Sequence, residues 1–287
     1  MTMQFLDFGV FVKLRNKIMK SYHSKRIISL TTDFSWLSEG IGIMKGIILE
    51  QAPDCQIIDL CHTISSYSTI NGSRQFETIL YLPVGIHLAI VDPEVGTHRK
   101  CLALSVHRGD ILLGPDNGIL MNAASVLGGI IESYVINTDT FHSTVFDGRD
   151  IFAKVAGLLA SGNYNLSDIG YKIDPEKLKT SPLNDFLYLD EINNAKIIHI
   201  NSFGNIVINI KSLQINNVIN KFFKIQIENK SVISQVKENF ASVPIGTFVI
   251  TDDGYGRYSI AMNRGSAKEF FNAKIGNNVN IIMVRSI

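Results

Sequence analysis

The chain has 287 residues, of which 46% are hydrophobic and 18% are charged, and these proportions are typical of a globular protein with a sizeable buried core. Its 27 basic and 26 acidic side chains give a formal net charge of +1, which argues against a nucleic acid or a membrane surface as partner. A small-molecule ligand is the expected partner.

The three cysteines, Cys55, Cys61 and Cys101, lack the Cys-x-x-Cys spacing of zinc sites and are an odd number. They therefore predict neither a disulfide framework nor a metal site, and they favour a reducing, cytoplasmic location. No cofactor is expected.

Residues 1–26 form a predicted N-terminal extension that ends in a basic run. Its apolar stretches are interrupted well short of the roughly 20 residues that a membrane-spanning helix needs, so no transmembrane segment is predicted. An amphipathic extension, a weak targeting signal and an upstream start-codon artefact all remain open for this segment.

From residue 27 onward, short apolar runs alternate with helical stretches, which predicts an α/β domain with a mainly parallel sheet over residues 27–183. A hairpin is predicted around residues 107–110. The predicted strands are 27–30, 56–60 and 86–91, and the predicted helices are 42–51, 72–81 and 150–159.

The remainder of the chain is rich in β-branched runs divided by Gly and Asn, which predicts a smaller all-β domain, a sandwich or a barrel, over residues 191–287. Residues 182–190 are the predicted linker. The predicted strands of this domain are 195–200, 206–210, 223–227, 247–251, 259–262 and 279–284.

Polar residues follow the predicted strands of the first domain, where the carboxyl ends of parallel strands commonly form ligand sites. Asp33 can bind the two hydroxyls of a ribose or cap the next helix. Asp92 and Arg99 can form a local salt bridge or hold a positioned carboxylate. Asn117 lies in a turn cluster, and Asp150 is a candidate helix cap.

In the second domain, two turns are rich in amide and aromatic groups. One contains Asn201 and Asn205, and the other contains Tyr255. Purine recognition and ordinary β-turn chemistry are both open for these residues.

Seven segments stand out in chain order: TTDF (31–34), DLCH (59–62), DPEVGTHR (92–99), PDNG (115–118), FDGRDIFA (146–153), SFGNIVINI (202–210) and GYGRYSIAMNRGSA (254–267). They occur in the same order as in the S-adenosyl-L-methionine (SAM) hydroxide adenosyltransferases, relatives of the chlorinases and fluorinases, and the chain resembles this family over roughly residues 27–284.

The resemblance implies an enzyme that hydrolyses SAM to adenosine and L-methionine. It also implies a homotrimer, with the ligand between the first domain of one subunit and the second domain of a neighbour. The resemblance further implies that Asp92, Arg99 and Asp147 act in catalysis. The implied substrate-binding residues are Asp33 at the ribose together with Phe34, Tyr67, Asn117, Phe146, Asn201, Asn205, Tyr255, Met262 and Arg264.

Three positions depart from the pattern of the water-using members, whose segments commonly read DPGVGTxR and TFHGRD. Glu94 replaces a Gly, Asn201 stands where an Asp is common, and Asp147 replaces the His that would adjoin the attacking water. In this chain Asp147 can serve as a second acceptor or as the base.

Three other functions are weighed against hydrolysis. A halogenase is disfavoured because carboxylates at Asp92 and Asp147 would repel a halide. A methyltransferase is disfavoured because no glycine-rich loop follows the first strand. A non-catalytic or weakly active protein that binds SAM or adenosine stays open because the His is absent.

Overall fold

The computed structural model describes residues 26–141, 145–189 and 192–284, and these residues form two compact units. The first unit extends to Thr180 and the second begins at Ser181, with the short segment Ser73–Gln75 grouped with the second. Residues 1–25, most of the predicted N-terminal extension, lie outside the described residues.

The first unit is built on a seven-stranded sheet with the order β2-β1-β3-β5-β4-β6-β7. Strands β2, β1, β3 and β5 are parallel neighbours, whereas β4 pairs antiparallel with both β5 and β6, and β7 pairs antiparallel with β6. The strands are Ile27–Thr32 (β1), Gln56–Cys61 (β2), Ile86–Ile90 (β3), Cys101–Val106 (β4), Ile111–Pro115 (β5), Ile130–Ile136 (β6) and Gly170–Ile173 (β7).

Helices pack against this sheet and connect its strands. They are Glu39–Gln51 (α1), Thr69–Phe76 (α2), Met121–Val126 (α3), Lys154–Ser161 (α4) and Leu166–Ile169 (α5), with a 3₁₀ turn at Glu77–Tyr81 and a π-helical turn at Gly148–Ala153 that leads into α4.

The N-terminus of α1 is capped by Ser38, whose side chain accepts a hydrogen bond from the Gly40 amide. Helix α4 approaches α1 closely at Gly157, where an added Cβ would lie 2.8 Å from Cβ of Gln51. A larger residue at position 157 would therefore push the two helices apart.

The second unit is a closed seven-stranded barrel with the strand order β10-β11-β12-β13-β9-β8-β14. Strand β10 (Phe222–Ile227) shows the expected alternation, because Phe223, Ile225 and Ile227 are buried and the residues between them are exposed. The other strands are Ile192–Ile200 (β8), Ile206–Lys211 (β9), Lys230–Val236 (β11), Phe248–Asp252 (β12), Arg257–Met262 (β13) and Asn278–Val284 (β14), and a short helix, Ala267–Phe271 (α6), follows β13.

The predicted fold class is confirmed: the first domain is α/β with a mainly parallel sheet, and the second is an all-β barrel. Some elements differ in detail from their predicted bounds. Strand β1 continues through Thr32, α1 begins at Glu39, and the predicted helix at 72–81 is an α-helix followed by a 3₁₀ turn. In the predicted linker, Phe186 forms a parallel bridge with Ile210 of β9.

Strands β6, β7 and β11 were not predicted. Glu132 and Ser133 interrupt the apolar run of β6, and β11 carries polar side chains at Lys230, Ser231, Ser234 and Gln235. None of the helices in the three described ranges combines the length and the apolar character that crossing a bilayer requires.

Candidate active site

The first unit contains a cavity of about 260 Å³ at the carboxyl ends of β1 and β3. This is the edge of a parallel sheet where ligand sites are expected. Seven of the residues predicted from the sequence line the cavity: Asp33, Phe34, Tyr67, Asp92, Arg99, Phe146 and Asp147.

Four loops bring these side chains together, and Tyr67 lies in the one between β2 and α2. Asp33 directly follows β1, Asp92 lies two residues past the end of β3, and Arg99 lies two residues before β4. Asp147 immediately precedes the π-helical turn that leads into α4. The predicted salt bridge between Asp92 and Arg99 is present, and its carboxylate also faces the cavity.

The guanidinium of Arg99 is held on three sides. Its Nε donates to Oδ2 of Asp92 at 2.5 Å, its Nη2 donates to Oδ2 of Asp147, and its Nη1 donates to Sγ of Cys101 at 2.8 Å. Its Cζ also lies 6.0 Å from the ring centroid of Phe152. The side chains of Arg99, Asp92 and Asp147 are nearly buried, so their charges interact with little screening by water.

Burial alone would lower the pKa of Arg99, but the hydrogen bond to Asp92 and the charges around the guanidinium raise its pKa above the ordinary value. Arg99 is therefore a permanent cation. Burial raises the pKa of Cys101 to about 11, and Arg99 offsets this only in part, so Cys101 is present as a neutral thiol at neutral pH. With both carboxylates ionised, the cluster of Asp92, Arg99 and Asp147 carries one net negative charge.

The carboxylate of Asp33 is oriented by the backbone. The Tyr67 amide donates to Oδ2 of Asp33 at 2.8 Å, and Tyr67 itself adopts a left-handed conformation with φ of 62°. A carboxylate has about four acceptor positions, so this one bond leaves Asp33 able to accept from two further donors.

Two aromatic side chains form one wall of the cavity. The rings of Phe34 and Phe146 pack edge to face, with centroids 5.4 Å apart. Gly148 allows this packing, because an added Cβ there would lie 2.9 Å from Phe146 and 3.3 Å from Phe34. Gly148 was not among the residues predicted for the site. Its position between Asp147 and Arg149, at the start of a predicted helix, could have indicated a close contact at this point.

Glu94, which departs from the resembled pattern, points away from this chemistry. Its carboxylate pairs with Lys179 at 2.8 Å on the surface, and its amide donates to Oδ1 of Asp92 at 3.0 Å. The replacement of Gly by Glu therefore leaves the shape of the Asp92 loop compatible with the site.

The second unit has its own open cleft of about 630 Å³, which the predicted residues Asn205, Met262 and Arg264 help to line. Arg264 has a left-handed backbone with φ of 53°, in a tight turn closed by a hydrogen bond from the Gly265 amide to the Met262 carbonyl. Residues that sequence reasoning missed also line this cleft: Phe203, Phe240, Gly265, Ser266 and Glu269.

Three predicted residues line neither cavity and instead shape turns. Asn117 donates from Nδ2 to the Val91 carbonyl at 2.8 Å, which ties its turn to the residue before Asp92. The side-chain oxygen of Asn201 accepts from the amides of Phe203 and Asn205, each at 3.0 Å.

The third of these residues, Tyr255, is half-exposed on the turn between β12 and β13, and its amide donates to Oδ1 of Asp253 at 2.8 Å. Turn formation is thus the role that the structure shows for the side chains of Asn117 and Asn201, whereas the ring of Tyr255 lies 5.3 Å from Cζ of Arg74, within the range of a cation–π contact. Across the described part of the chain, no group of three or more His, Cys, Asp or Glu side chains is arranged to hold a metal ion.

Comparison with known proteins identifies related enzymes. A 33% identical relative from Methanocaldococcus jannaschii, aligned over 73% of this chain and 76% of its own length, is named (R)-S-adenosyl-L-methionine hydrolase. A relative of the same name from Salinispora arenicola is 28% identical over 88% of this chain and 97% of its own length. A crystal structure of an uncharacterized conserved protein from Thermotoga maritima superposes with a TM-score of 0.79, at 25% identity, over 89% of this chain and 99% of the other.

The two structural units correspond to two known family domains. Residues 28–170 match the SAM hydroxide adenosyltransferase N-terminal domain, and residues 195–280 match the C-terminal domain of the same family. The matched segments cover most of the chain in the expected order. The protein therefore belongs to the SAM hydroxide adenosyltransferase family.

Proposed function

We propose that this protein hydrolyses S-adenosyl-L-methionine to adenosine and L-methionine by attack of water on the ribose 5′-carbon. The observation that carries this proposal is the guanidinium of Arg99 held between Asp92 and Asp147 in the wall of a cavity that also contains Asp33. The names of the relatives support the same reaction and specify the (R) configuration of the substrate, which we extend to this chain.

In the proposed complex, Asp33 accepts hydrogen bonds from the two ribose hydroxyls, and Phe34, Tyr67 and Phe146 pack against the ligand. Support comes from the position of these four residues in one cavity and from the oriented carboxylate of Asp33. No cofactor and no metal take part, because the substrate already carries its positively charged leaving group.

The reaction is an in-line displacement at carbon. The water oxygen forms a bond to the 5′-carbon while the bond from carbon to sulfur breaks, and methionine leaves with the electron pair as a neutral thioether. The water must also release a proton. Since the sulfonium is a good leaving group, the protein mainly orients the water and excludes bulk solvent.

Asp92 is proposed to orient the water by accepting its hydrogen bond, and Arg99 fixes that carboxylate in place. Asp147 is proposed to accept the second hydrogen of the water and to act as the base. Both carboxylates belong to the cavity wall and share the same guanidinium, which supports a joint role.

The net negative charge of this cluster favours water over a halide as nucleophile. A unit charge about 4 Å from a halide would repel it by roughly 4 kcal/mol at an effective dielectric constant of about 20. The same negative charge attracts the sulfonium of the substrate. Chlorinase or fluorinase activity is therefore not proposed.

The second unit is proposed to bind the adenine and methionine parts of the ligand through Asn205, Met262 and Arg264, with Asn201 and Tyr255 shaping the turns involved. As the resemblance implies, we propose that a homotrimer assembles the full site from the first domain of one subunit and the second domain of a neighbour. Exposed apolar side chains at Trp36, Leu37 and Val145 support burial of this region in an assembly.

A cytoplasmic location is proposed because all three cysteines are free thiols, as expected in a reducing compartment. A second candidate function is binding without turnover, and the observation that favours it is the carboxylate of Asp147 where the family has an imidazole. Chromatography of SAM incubated with the pure protein separates the two functions, because only a hydrolase releases adenosine and methionine.

A further inference from the structure

A chain of hydrogen bonds runs through buried polar side chains at the carboxyl end of β1. Oγ1 of Thr32 lies 2.9 Å from Nδ1 of His62, and Nε2 of His62 lies 2.9 Å from Oδ1 of Asp59. Lys45 of α1 then donates to Oδ2 of Asp59 at 2.6 Å. Thr32 and His62 are fully buried, whereas Asp59 and Lys45 are partly exposed.

The contacts assign a direction to this chain. An ionised carboxylate only accepts hydrogen bonds, so Nε2 of His62 donates to Asp59. In the neutral tautomer with the proton on Nε2, Nδ1 of His62 accepts from the hydroxyl of Thr32, whose Oγ1 also accepts from the Phe34 amide at 3.2 Å. Burial raises the pKa of Asp59, but hydrogen bonds from Lys45 and His62 outweigh this and lower it below its ordinary value, which keeps the final acceptor ionised.

His62 also supports the two segments that orient Asp33. Its carbonyl accepts from the Ser35 amide at 2.8 Å, and Ser35 has a left-handed backbone with φ of 68°. The ring of Trp36 packs edge to face on the imidazole with centroids 4.7 Å apart. Five residues beyond His62, the left-handed Tyr67 donates its amide to Asp33.

Left-handed conformations of residues other than glycine are strained and persist where surrounding contacts impose them. The contacts of His62 with Thr32 and Ser35 impose such a conformation here, because they fix the backbone on both sides of Asp33.

We propose that Thr32, His62, Asp59 and Lys45 form a positioning device that aims the Asp33 carboxylate, and that this device sets the selectivity of the site for a ligand with intact 2′ and 3′ hydroxyls. The inference rests on the proposed function in one respect, the role of Asp33 at the ribose. None of the four residues lines the cavity, so each acts through the backbone around Asp33.

The same strand offers a matched control three residues earlier. Oγ of Ser29 lies 2.7 Å from Nδ1 of His87, and Nε2 of His87 lies 3.0 Å from Oδ1 of Asp110. Arg108 completes this second chain through Nε, 2.7 Å from Oδ2 of Asp110. Ser29, His87 and Asp110 are fully buried and do not line the cavity, so they contribute to the fold without orienting Asp33.

The test compares Thr32→Val with Ser29→Ala in the full-length protein. Each substitution removes one hydroxyl that bonds a buried imidazole. Calorimetry would measure the affinities for adenosine and for 2′,3′-dideoxyadenosine, and the ratio of the two affinities reports the contribution of the hydroxyls. We expect Thr32→Val to lower this ratio by roughly 3- to 10-fold, the range for one hydrogen bond, and Ser29→Ala to leave it unchanged.

His62→Asn and Lys45→Met extend the test and replace Thr32→Val if that variant fails to fold. Asn retains an acceptor toward Thr32 but loses the donor to Asp59, and Lys45 is partly exposed, so its loss perturbs the core least. A lower ratio in these variants supports the inference. An unchanged ratio in Thr32→Val, or in both replacements, overturns it.

The outcomes also separate this inference from the proposed reaction. If the wild-type protein binds the two nucleosides equally, the role of Asp33 at the ribose is wrong and the inference falls with it. If wild type prefers adenosine and Thr32→Val abolishes the preference, but no SAM is hydrolysed, then only the proposed reaction is wrong.

Discussion

Asp147 accepts a hydrogen bond from Nη2 of Arg99, which lies 48 residues earlier in the chain. The relationship matters because the resembled family has a histidine at the position of Asp147. An imidazole can exchange a proton near neutral pH, whereas a carboxylate bound to a guanidinium acts first as a hydrogen-bond acceptor. The rate of hydrolysis therefore depends on whether Asp147 acts as a base for the attacking water or only accepts its hydrogen bond.

Asp147→Asn tests the role of this carboxylate. If Asp147 is the base, the variant should retain ligand binding but hydrolyse SAM roughly 10²- to 10⁴-fold more slowly, the usual contribution of general-base catalysis. Glu94→Gln is a suitable control, because it removes a nearby acidic charge that pairs with Lys179 on the surface. A single-turnover rate for Asp147→Asn close to that of wild type would make Asp147 a bystander.

Asp147→His addresses the second candidate function. If wild type is almost inactive and the histidine variant raises turnover, the absence of the imidazole limits the chemistry, and a binding role becomes the better account. If the histidine variant is no faster than wild type, the carboxylate is sufficient for this protein. Initial rates of adenosine release at saturating SAM would distinguish the two results.

Asp33→Ala should weaken ligand binding more than it changes the bound geometry. It removes the acceptor for two hydroxyls, whose hydrogen bonds are each worth roughly 0.5–3 kcal/mol, so the affinity should fall at least about fivefold. Asp33→Asn keeps one oxygen acceptor and should lie between wild type and alanine. Calorimetry with adenosine measures all three, and equal affinities would refute the assignment.

The positions of Asp33 and Asp92 could be predicted from the sequence because each follows a parallel strand, and Arg99 precedes the antiparallel strand β4 that is joined to β3 by the Asp92 loop. Parallel strands end at a common edge, so local pattern was enough to bring these residues together. Asp147 entered through the resemblance, since nothing in its local sequence indicated that it would contact Arg99.

The contacts that support the site were less accessible to prediction. The bond between Thr32 and His62 depends on the pairing of β1 with β2, and the contact of Arg99 with Cys101 depends on the entry into β4. Closure of the barrel likewise depends on pairing of β8 with β14, which are far apart in sequence. Strand register is set by packing across the whole sheet, which a local pattern does not contain.

The stability of the protein should fall as the pH is lowered below about 6.5, the ordinary pKa of histidine. Burial lowers the pKa of His87, and the hydrogen bond to Asp110 offsets this only in part. Burial also lowers the pKa of His199 to about 4. The unfolded chain therefore binds protons that the folded chain does not, and each such proton costs about 1.4 kcal/mol per pH unit between the two pKa values.

Urea unfolding between pH 7.5 and pH 5 would measure this dependence. The stabilising effect of neutral His87 is fully present above its unfolded pKa and is lost as the pH falls below it. The variant His87→Gln should have a shallower dependence than wild type in this window. An identical slope in both proteins would show that His87 does not contribute.

The family resemblance predicts a homotrimer, in which the ligand contacts of the two units of the chain come from neighbouring subunits. Sedimentation equilibrium would give a mass three times that of the chain. An active monomer, stable at all concentrations tested, would contradict the shared site.

The central claim is tested most directly by incubating saturating SAM with the pure protein and separating the products by chromatography, with chloride present and absent. We predict slow release of adenosine and methionine in equal amounts, unaffected by chloride, because Asp92 and Arg99 position water beside an electrophile that already carries its charge. Release of no adenosine above the control without protein, under conditions where binding is saturated, would contradict the account.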